Sequence, residues 1–336
     1  MKIKRLGRTG LKVSEICLGT MTFGNQCDDA ASFAIMDKAY EAGVFFFDTA
    51  DVYPLGATPE MRGSTELIVG KWIAERKLRD KIVLASKCRG QMGEGPNDVG
   101  LSRKHIVSAI EASLRRLKTD YLDLYQTHQP DPETPIEETM AALDDLVHQG
   151  KVRYLGCSNY PAHLLAKALW TSDKHGLARY ESNQPRYNIL YREIENEIAP
   201  LCRAEGLGLI VYNPLAGGFL TGRYQPGQTV SEGTRFSLNQ AGKFYQQRYW
   251  QEAQFEAVES LKRFFSARNR SLTEVALAWV LAQPGITCAI LGASRAEQLK
   301  QSLPGATLQL SSEELEFCDS IWFNLPRPKD PNIALR

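Results

Sequence analysis

Four short phrases of this 336-residue chain carry polar side chains suited to moving a proton at a carbonyl oxygen: FDTADVY (47–53), LASK (84–87), LYQTH (124–128) and LGCSN (155–159). Together they supply Asp48, Tyr53, Lys87 and His128. A tyrosine titrates near 10 in water, too high for easy proton exchange at neutral pH. A lysine ammonium a few ångströms away favours the phenolate and pulls that value down. A lysine buried in such a place needs a counter-charge, which Asp48 offers, because an unpaired buried charge is costly. A histidine beside the same oxygen can donate a hydrogen bond that orients a substrate carbonyl. Tyr53 would then be the general acid of a reduction and the general base of the reverse oxidation. Lys87 and Asp48 would tune it and His128 would position the substrate. Each residue has a plainer reading when taken alone: an ion pair at a rim, a satisfied histidine, a loop aromatic. Their joint occurrence at neighbouring strand ends favours a site, because groups with perturbed titration gather where chemistry is done.

The elements that must position them follow from the hydrophobic pattern. Strands are predicted at 14–19, 44–48, 82–86, 121–126, 152–156, 180–183, 207–212 and 286–291. Several are continuous apolar runs (VFFF, IVLA, LGLIV), as befits strands buried on both faces. Amphipathic helices lie between them. In 103–117, Ile106, Ile110, Leu114 and Leu117 form one stripe behind an N-cap at Ser102. In 136–148, Ile136, Met140, Leu143 and Val147 repeat the spacing after Pro135. Eight uninterrupted strand–helix alternations predict an α/β fold, a (β/α)8 TIM barrel, with its active site on the loops after the strands. KIKRLGRTGLKVS (2–14) adds an N-terminal β-hairpin turning at Gly10.

Three segments break the regularity. GQMGEGPNDVG (90–100) is glycine-rich and is expected to be mobile. The stretch 214–246, containing AGGFLTGRYQPG, is far longer than an ordinary strand-to-helix loop. LPRPKDPNIALR (325–336) reads as an irregular C-terminal tail near the barrel mouth. No internal repeat and no linker divides the chain, so 1–336 reads as one domain.

Composition narrows the function classes. Apolar residues are 43% and charged residues 24%, ordinary for a globular protein, and 40 basic against 39 acidic side chains leave a net charge of +1. No basic run stands out, so no nucleic-acid partner is expected. MKIKRLGRTG lacks the apolar core of a signal peptide, and no apolar stretch is long enough to span a bilayer. The seven cysteines are scattered without a CxxC pair, as reduced thiols would be. The expectation is a cytoplasmic protein with no metal site and no membrane segment.

Ordered blocks across essentially the whole chain carry a family resemblance. LGRTGLKVSEICLGTMTFG (6–24), TDYLDLYQTHQPD (119–131), GKVRYLGCSN (150–159), NPLAGGFLTGRY (213–224) and ILGASRAEQL (290–299) resemble the aldo-keto reductase superfamily. The likeness is to its bacterial and potassium-channel-β-subunit-like branch more than to the mammalian aldose reductases. The resemblance implies a catalytic tetrad at Asp48, Tyr53, Lys87 and His128, all present. It implies a nicotinamide cofactor lying across the barrel mouth, in keeping with the absence of a GxGxxG after a strand. Gly19, Thr20 and Asp48 fall in blocks that resemble those flanking the cofactor. Ser158, Asn159 and Gln184 resemble the groups that hold the carboxamide, and Tyr212 the aromatic that stacks on the nicotinamide ring. Pro214, Leu215, Gly217 and Leu220 lie in the segment resembling the pyrophosphate clasp, where small residues let backbone N–H groups approach phosphate.

Gly292, Ser294, Arg295 and Gln298 belong to the block resembling the adenosine end. A hydroxyl and a guanidinium there suit a 2′-phosphate and point to NADPH (NADP+). One departure stands at Ser302, after Gln301, where the family often has asparagine. Substrate contacts are expected from Phe23, Tyr53, His128, the insert PLGATPEMRG (54–63), the loop from Arg89 and the tail. Arg62, Arg89, Arg327 and Lys329 are candidates for gripping a phosphate or carboxylate. The implied function is NADPH-dependent reduction of a small-molecule aldehyde or ketone, sugar-derived substrates included. The alternative is a cofactor-sensing binding module resembling channel β-subunits, which would need an exposed apolar docking face.

Overall fold

The computed structural model describes residues 1–326. Eight parallel strands close into a barrel in the order β10-β3-β4-β5-β6-β7-β8-β9. They are β3 (Ile16–Gly19), β4 (Phe46–Asp48), β5 (Val83–Cys88), β6 (Leu122–Thr127), β7 (Val152–Ser158), β8 (Tyr180–Gln184), β9 (Gly208–Val211) and β10 (Ile286–Gly292). The N-terminal hairpin pairs β1 (Ile3–Arg5) with β2 (Lys12–Ser14), antiparallel and in register Ile3 to Ser14. Its Leu6 and Val13 pack with inward residues of the barrel such as Phe46, Ile210 and Cys288, so the hairpin closes the end opposite the site.

Helices surround the barrel: α1 (Asp29–Glu41), α2 (Ser64–Arg76), α3 (Arg103–Leu117), α4 (Ile136–His148), α5 (Ala162–His175), α6 (Ile198–Ala204), α7 (Asn239–Tyr249), α8 (Glu252–Ser266), α9 (Leu272–Ala282), α10 (Ala296–Ser302) and α11 (Ser312–Asn324). The two helices read from sequence begin and end where their stripes do. Ser102 caps α3 by accepting from the His105 N–H at 3.3 Å, and α4 starts directly after Pro135. The buried apolar shell between barrel and helices includes Trp72, Phe47, Tyr125 and Trp279. No helix among the described residues is long and apolar enough to cross a membrane.

The pleat of the strands fixes what faces inward. Side chains alternate along a strand, so residues two apart share a face. Phe46 faces the barrel interior and Phe47 the helices, where its ring lies 5.2 Å from that of Trp72. Counting in steps of two from the interior residues Phe46, Val83 and Ala85, Leu124, Ile210 and Ile290 reaches Asp48, Lys87, Gln126, Tyr212 and Gly292 at the mouth. Room for them depends on a small residue one layer down: a Cβ on Gly156 would stand 2.6 Å from the Ser182 hydroxyl.

The glycine-rich segment 90–100 is folded on itself. Met92 N–H donates to Asp98 O at 2.8 Å, Gly95 N–H to the Asp98 carboxylate at 2.9 Å and Gly100 N–H to Arg89 O at 2.9 Å. The long segment after β9 forms two short 3-10 turns (Ala216–Thr221 and Arg235–Ser237) and then α7. Phe219, Tyr224, Phe236 and Trp250 pack together in it, with ring centroids 5.1–6.1 Å apart. Arg327 and Lys329, with the tail itself, lie outside the described residues.

Candidate active site

Asp48 ends β4 and Lys87 is the last but one residue of β5; both face inward and meet as a buried ion pair. The Lys87 ammonium also donates to Thr49 O at 2.9 Å and lies 3.4 Å from the Tyr53 hydroxyl. The second Asp48 oxygen accepts from the Gln126 and Gln184 amides, each at 2.9 Å, and Gln184 also donates to Gln126 Oε1 at 3.0 Å. These extra donors matter, because a buried ion pair offsets its desolvation only when its remaining hydrogen-bonding capacity is met. The loop that carries Tyr53 is stitched to β5 by Thr49 N–H to Ala85 O (2.9 Å) and Asp51 N–H to Lys87 O (3.1 Å). Tyr53 is therefore placed relative to Lys87 by backbone. His128 follows β6, its N–H donating to Cys88 O at 2.9 Å, and its ring meets Tyr53 edge-on at 5.7 Å.

The electrostatics depart from the sequence expectation in one respect. Burial raises the Tyr53 phenol above its ordinary value, and the opposing pull of Lys87 does not reverse that. The same enclosure that brings the lysine close also removes the water that would stabilise a phenolate. Burial alone would lower Lys87, but Asp48, and after it Tyr53, outweigh that and hold the ammonium above its ordinary value. Burial, then Lys87 and Arg89, lower His128 to about 3. At neutral pH the set is therefore a protonated phenol, an ammonium and a neutral imidazole. A phenol beside an ammonium is a proton donor whose conjugate base would find its counter-charge already in place.

Asp48, Tyr53 and His128 line the floor of a cavity of about 880 Å³, a size that accommodates a cofactor and a small substrate, and Lys87 lies fully buried beneath them. Gly19, Ser158, Asn159, Gln184 and Tyr212 line the cavity's strand side. All but Gly19 form one network: Tyr212 OH donates to Asn159 Oδ1 at 2.8 Å, Asn159 Nδ2 to Ser158 Oγ at 2.9 Å, and Ser158 Oγ to Gln184 O at 2.8 Å. Pro214, Leu215 and Gly217 line the next sector. Gly217 and Gly218 have φ of 69° and 95°, and a Cβ on Gly217 would meet the Tyr245 ring at 2.8 Å. Gly292, Ser294, Arg295 and Gln298 line the far end. There the Gln298 side chain accepts from the Ser294 N–H at 2.7 Å, and the Ser302 hydroxyl donates to Gln298 O at 2.8 Å.

Several residues expected at the cavity do not line it. Phe23 is fully buried in the outer core, and Met21 and Thr22 of the same loop hold the rim instead. Thr20 is fully buried, and its hydroxyl and N–H both bond Asp48 O, at 2.9 and 3.1 Å, so it clips β3 to β4. Leu220 turns into the core, because the 3-10 turn points its apolar side chain away from solvent. Of the insert 54–63, Pro54, Leu55, Gly56 and Ala57 reach the cavity, whereas Arg62 donates to Gln91 O at 2.6 Å outside it. Arg89 does not line the cavity either and acts on it through the field that depresses His128.

Other lining residues went unread in the sequence. Met21, Thr22 and Gln129 come from loops that directly follow β3 and β6. Gln126 was also unread; it is fully buried beneath the cavity, holds Asp48, and carries a period-two signal in LYQTH between Leu124 and His128. Arg223, Arg235, Tyr245 and Arg248 come from the long segment after β9 and carry no such signal.

Comparison with known proteins fits this geometry. The model of the aldo/keto reductase family matches residues 15–322. The uncharacterized oxidoreductase YrpG of Bacillus subtilis is 38% identical over 327 residues, 96% of each chain. A probable voltage-gated potassium channel subunit beta of rice, Oryza sativa subsp. japonica, is 36% identical over 305 residues, 90% of each. A putative aryl-alcohol dehydrogenase of Schizosaccharomyces pombe is 35% identical over 352 residues, 96% of this chain and 95% of its own. The chain belongs to the aldo/keto reductase family. It is an NAD(P)H-dependent oxidoreductase of that family, acting on small-molecule carbonyl compounds.

Proposed function

We propose that this protein, as one barrel domain, is an NADPH-dependent reductase of aldehydes or ketones with Tyr53 as its general acid. The observation that carries the reading is the Tyr53 hydroxyl, 3.4 Å from the Lys87 ammonium at the floor of the cavity and beside His128. When bound, the reduced nicotinamide supplies hydride to the carbonyl carbon. Tyr53 gives its proton to the carbonyl oxygen as negative charge develops there. Lys87 stabilises the phenolate left behind, and Asp48, held by Gln126 and Gln184, keeps Lys87 charged and fixed. His128, neutral at working pH, donates a ring N–H to the same oxygen and so sets the carbonyl's orientation.

The residues fit the cofactor in three places. The Tyr212 ring and the Ser158–Asn159–Gln184 network suit a nicotinamide with its carboxamide. The open backbone turn at Gly217 and Gly218 suits a pyrophosphate. Ser294 and Arg295 suit a 2′-phosphate.

The test is Tyr53→Phe, followed by NADPH fluorescence titration and by turnover on aldehydes and diketones. The expected result is a fall in kcat of about 10²–10⁴-fold with NADPH affinity preserved. Loss of both together would mean that Tyr53 is structural. A second reading, a cofactor-sensing regulatory module, is favoured by the likeness to the rice channel subunit. Tight NADPH binding by the wild type, with no turnover on any carbonyl, would select it.

A further inference from the structure

Four arginines line the cavity, more than the cofactor reading uses. Arg295 stands at the adenosine end. Arg235 and Arg223 flank the glycine turn, the Arg235 Cγ 3.4 Å from where a Gly217 Cβ would sit and the Arg223 guanidinium 3.6 Å from the Gly218 one. Arg223 is also bonded to the Tyr224 hydroxyl. The fourth, Arg248, lies elsewhere. It is on α7, one turn after Tyr245, the ring that packs over Gly217 and whose hydroxyl donates to Asn213 Oδ1 at 3.2 Å.

Arg248 is only 9% exposed yet lines the cavity. Its guanidinium lies 3.8 Å from the centroid of Phe244, which also lines the cavity, and its Nε is buried without a hydrogen-bond partner among the described residues. It lies near enough to Tyr212 for its charge to oppose the burial that pushes that phenol up to about 12. Tyr245, three residues earlier, likewise acts on Tyr53. The Arg248 guanidinium is also 6.0 Å from the centroid of the Tyr245 ring, whose hydroxyl bonds Asn213, the residue after Tyr212, so Arg248 stands on the Tyr212 side of the cavity. The carboxylates that line the cavity are Asp48, already paired with Lys87, and Glu232, which is exposed.

A buried guanidinium with an unmet donor is costly to keep, and the paired oxygens of a carboxylate or phosphate are what its fork matches. We propose that Arg248 is the specificity-determining residue of this site and binds the anionic group, carboxylate or phosphate, of a carbonyl substrate. The carbonyl oxygen would lie at Tyr53 and His128 and the anion under α7, with Phe244 packed on the guanidinium to hold it. The inference rests on the reductase reading, deepens it to a substrate class, and makes no claim on the cofactor's own phosphates.

The test compares kcat/KM at saturating NADPH for matched pairs: 4-carboxybenzaldehyde against methyl 4-formylbenzoate, and glyceraldehyde 3-phosphate against glyceraldehyde. Wild type is expected to prefer the anionic member of at least one pair, and which pair decides between carboxylate and phosphate. In Arg248→Gln that preference ratio is expected to fall about 10- to 100-fold, through KM, with Arg248→Lys retaining part of it. An unchanged ratio would overturn the proposal, as would no preference in wild type. A fall in NADPH affinity in place of the ratio would assign Arg248 to the cofactor and overturn it too.

Calorimetric titration of the NADPH-saturated protein with 4-(hydroxymethyl)benzoate and with glycerol 3-phosphate needs no turnover. Arg248-dependent binding of either, without catalysis on any carbonyl, would sink the reductase reading and leave the anion site standing. Binding of neither would sink the anion site whatever the turnover.

Discussion

The two walls of the cavity are built differently. The floor is borne by strands: Asp48, Lys87, Gln126, Ser158 and Gln184 project inward from β4 to β8, each fixed by the pleat and tied to a neighbour by hydrogen bonds of 2.8–3.0 Å or by the buried ion pair. The upper wall is borne by connecting segments. Arg223, Arg235, Tyr245 and Arg248 come from the stretch after β9, and Ser294, Arg295 and Gln298 from the stretch after β10. Here the fixing agent is aromatic packing and loop hydrogen bonds, and the guanidiniums face the cavity. A rigid polar floor suits proton transfer, where a misplaced group costs rate. A basic upper wall suits recognition, where changes alter affinity and selectivity.

Substitutions should divide along the same line. The largest effect on stability is expected in the floor, at Asp48→Ala. Removing the carboxylate leaves the Lys87 ammonium buried without its partner and should cost roughly 3–5 kcal/mol, read as a shift in the denaturant midpoint. The double variant Asp48→Leu/Lys87→Met should recover part of that loss. If it is no more stable than the single variant, packing rather than the lone charge is responsible, and the electrostatic account of the floor fails.

In the upper wall, Arg295→Ala should leave global stability nearly unchanged and weaken NADPH by about tenfold, with little effect on NADH. Equal weakening of both cofactors would remove the 2′-phosphate assignment and blur the division between the two walls.

A further effect is one of pH on stability, and it grows as pH falls. His128 titrates near 3 in the folded protein and near 6.5 when unfolded. Between those values the unfolded chain binds the extra proton, so this contribution is intact above about pH 6.5 and declines as pH falls toward 3. Thermal midpoints of wild type and His128→Gln should therefore converge on acidification through that window. A constant gap would show that His128 is not held neutral by its surroundings.

The strands and two of the helices were legible because period and capping act within a few residues. Predicted strand 152–156 is observed at Val152–Ser158, and 103–117 is observed as α3 with its Ser102 cap. The positions of the strand-borne polar residues were legible for a related reason, since alternation alone sends Asp48, Lys87 and Gln126 to one face. Loop residues offered no such rule. Phe23 and Leu220 lie in segments that follow strands, as Met21 and Leu215 do, yet the first pair packs in the core and the second pair reaches the cavity. Their direction depends on turn geometry and on which apolar surface is nearest, neither of which a local pattern encodes.

By itself, then, the sequence determined the barrel, its hairpin and the family, because these rest on local periodicity and on ordered blocks along the whole chain. Tertiary structure alone decided the sign of the Tyr53 shift, where burial outweighs the lysine, and the arrival of Arg248, from a helix well downstream, in the cavity that Tyr212 lines. Both are matters of distance and exclusion of water, which arise only once remote segments close over the barrel mouth.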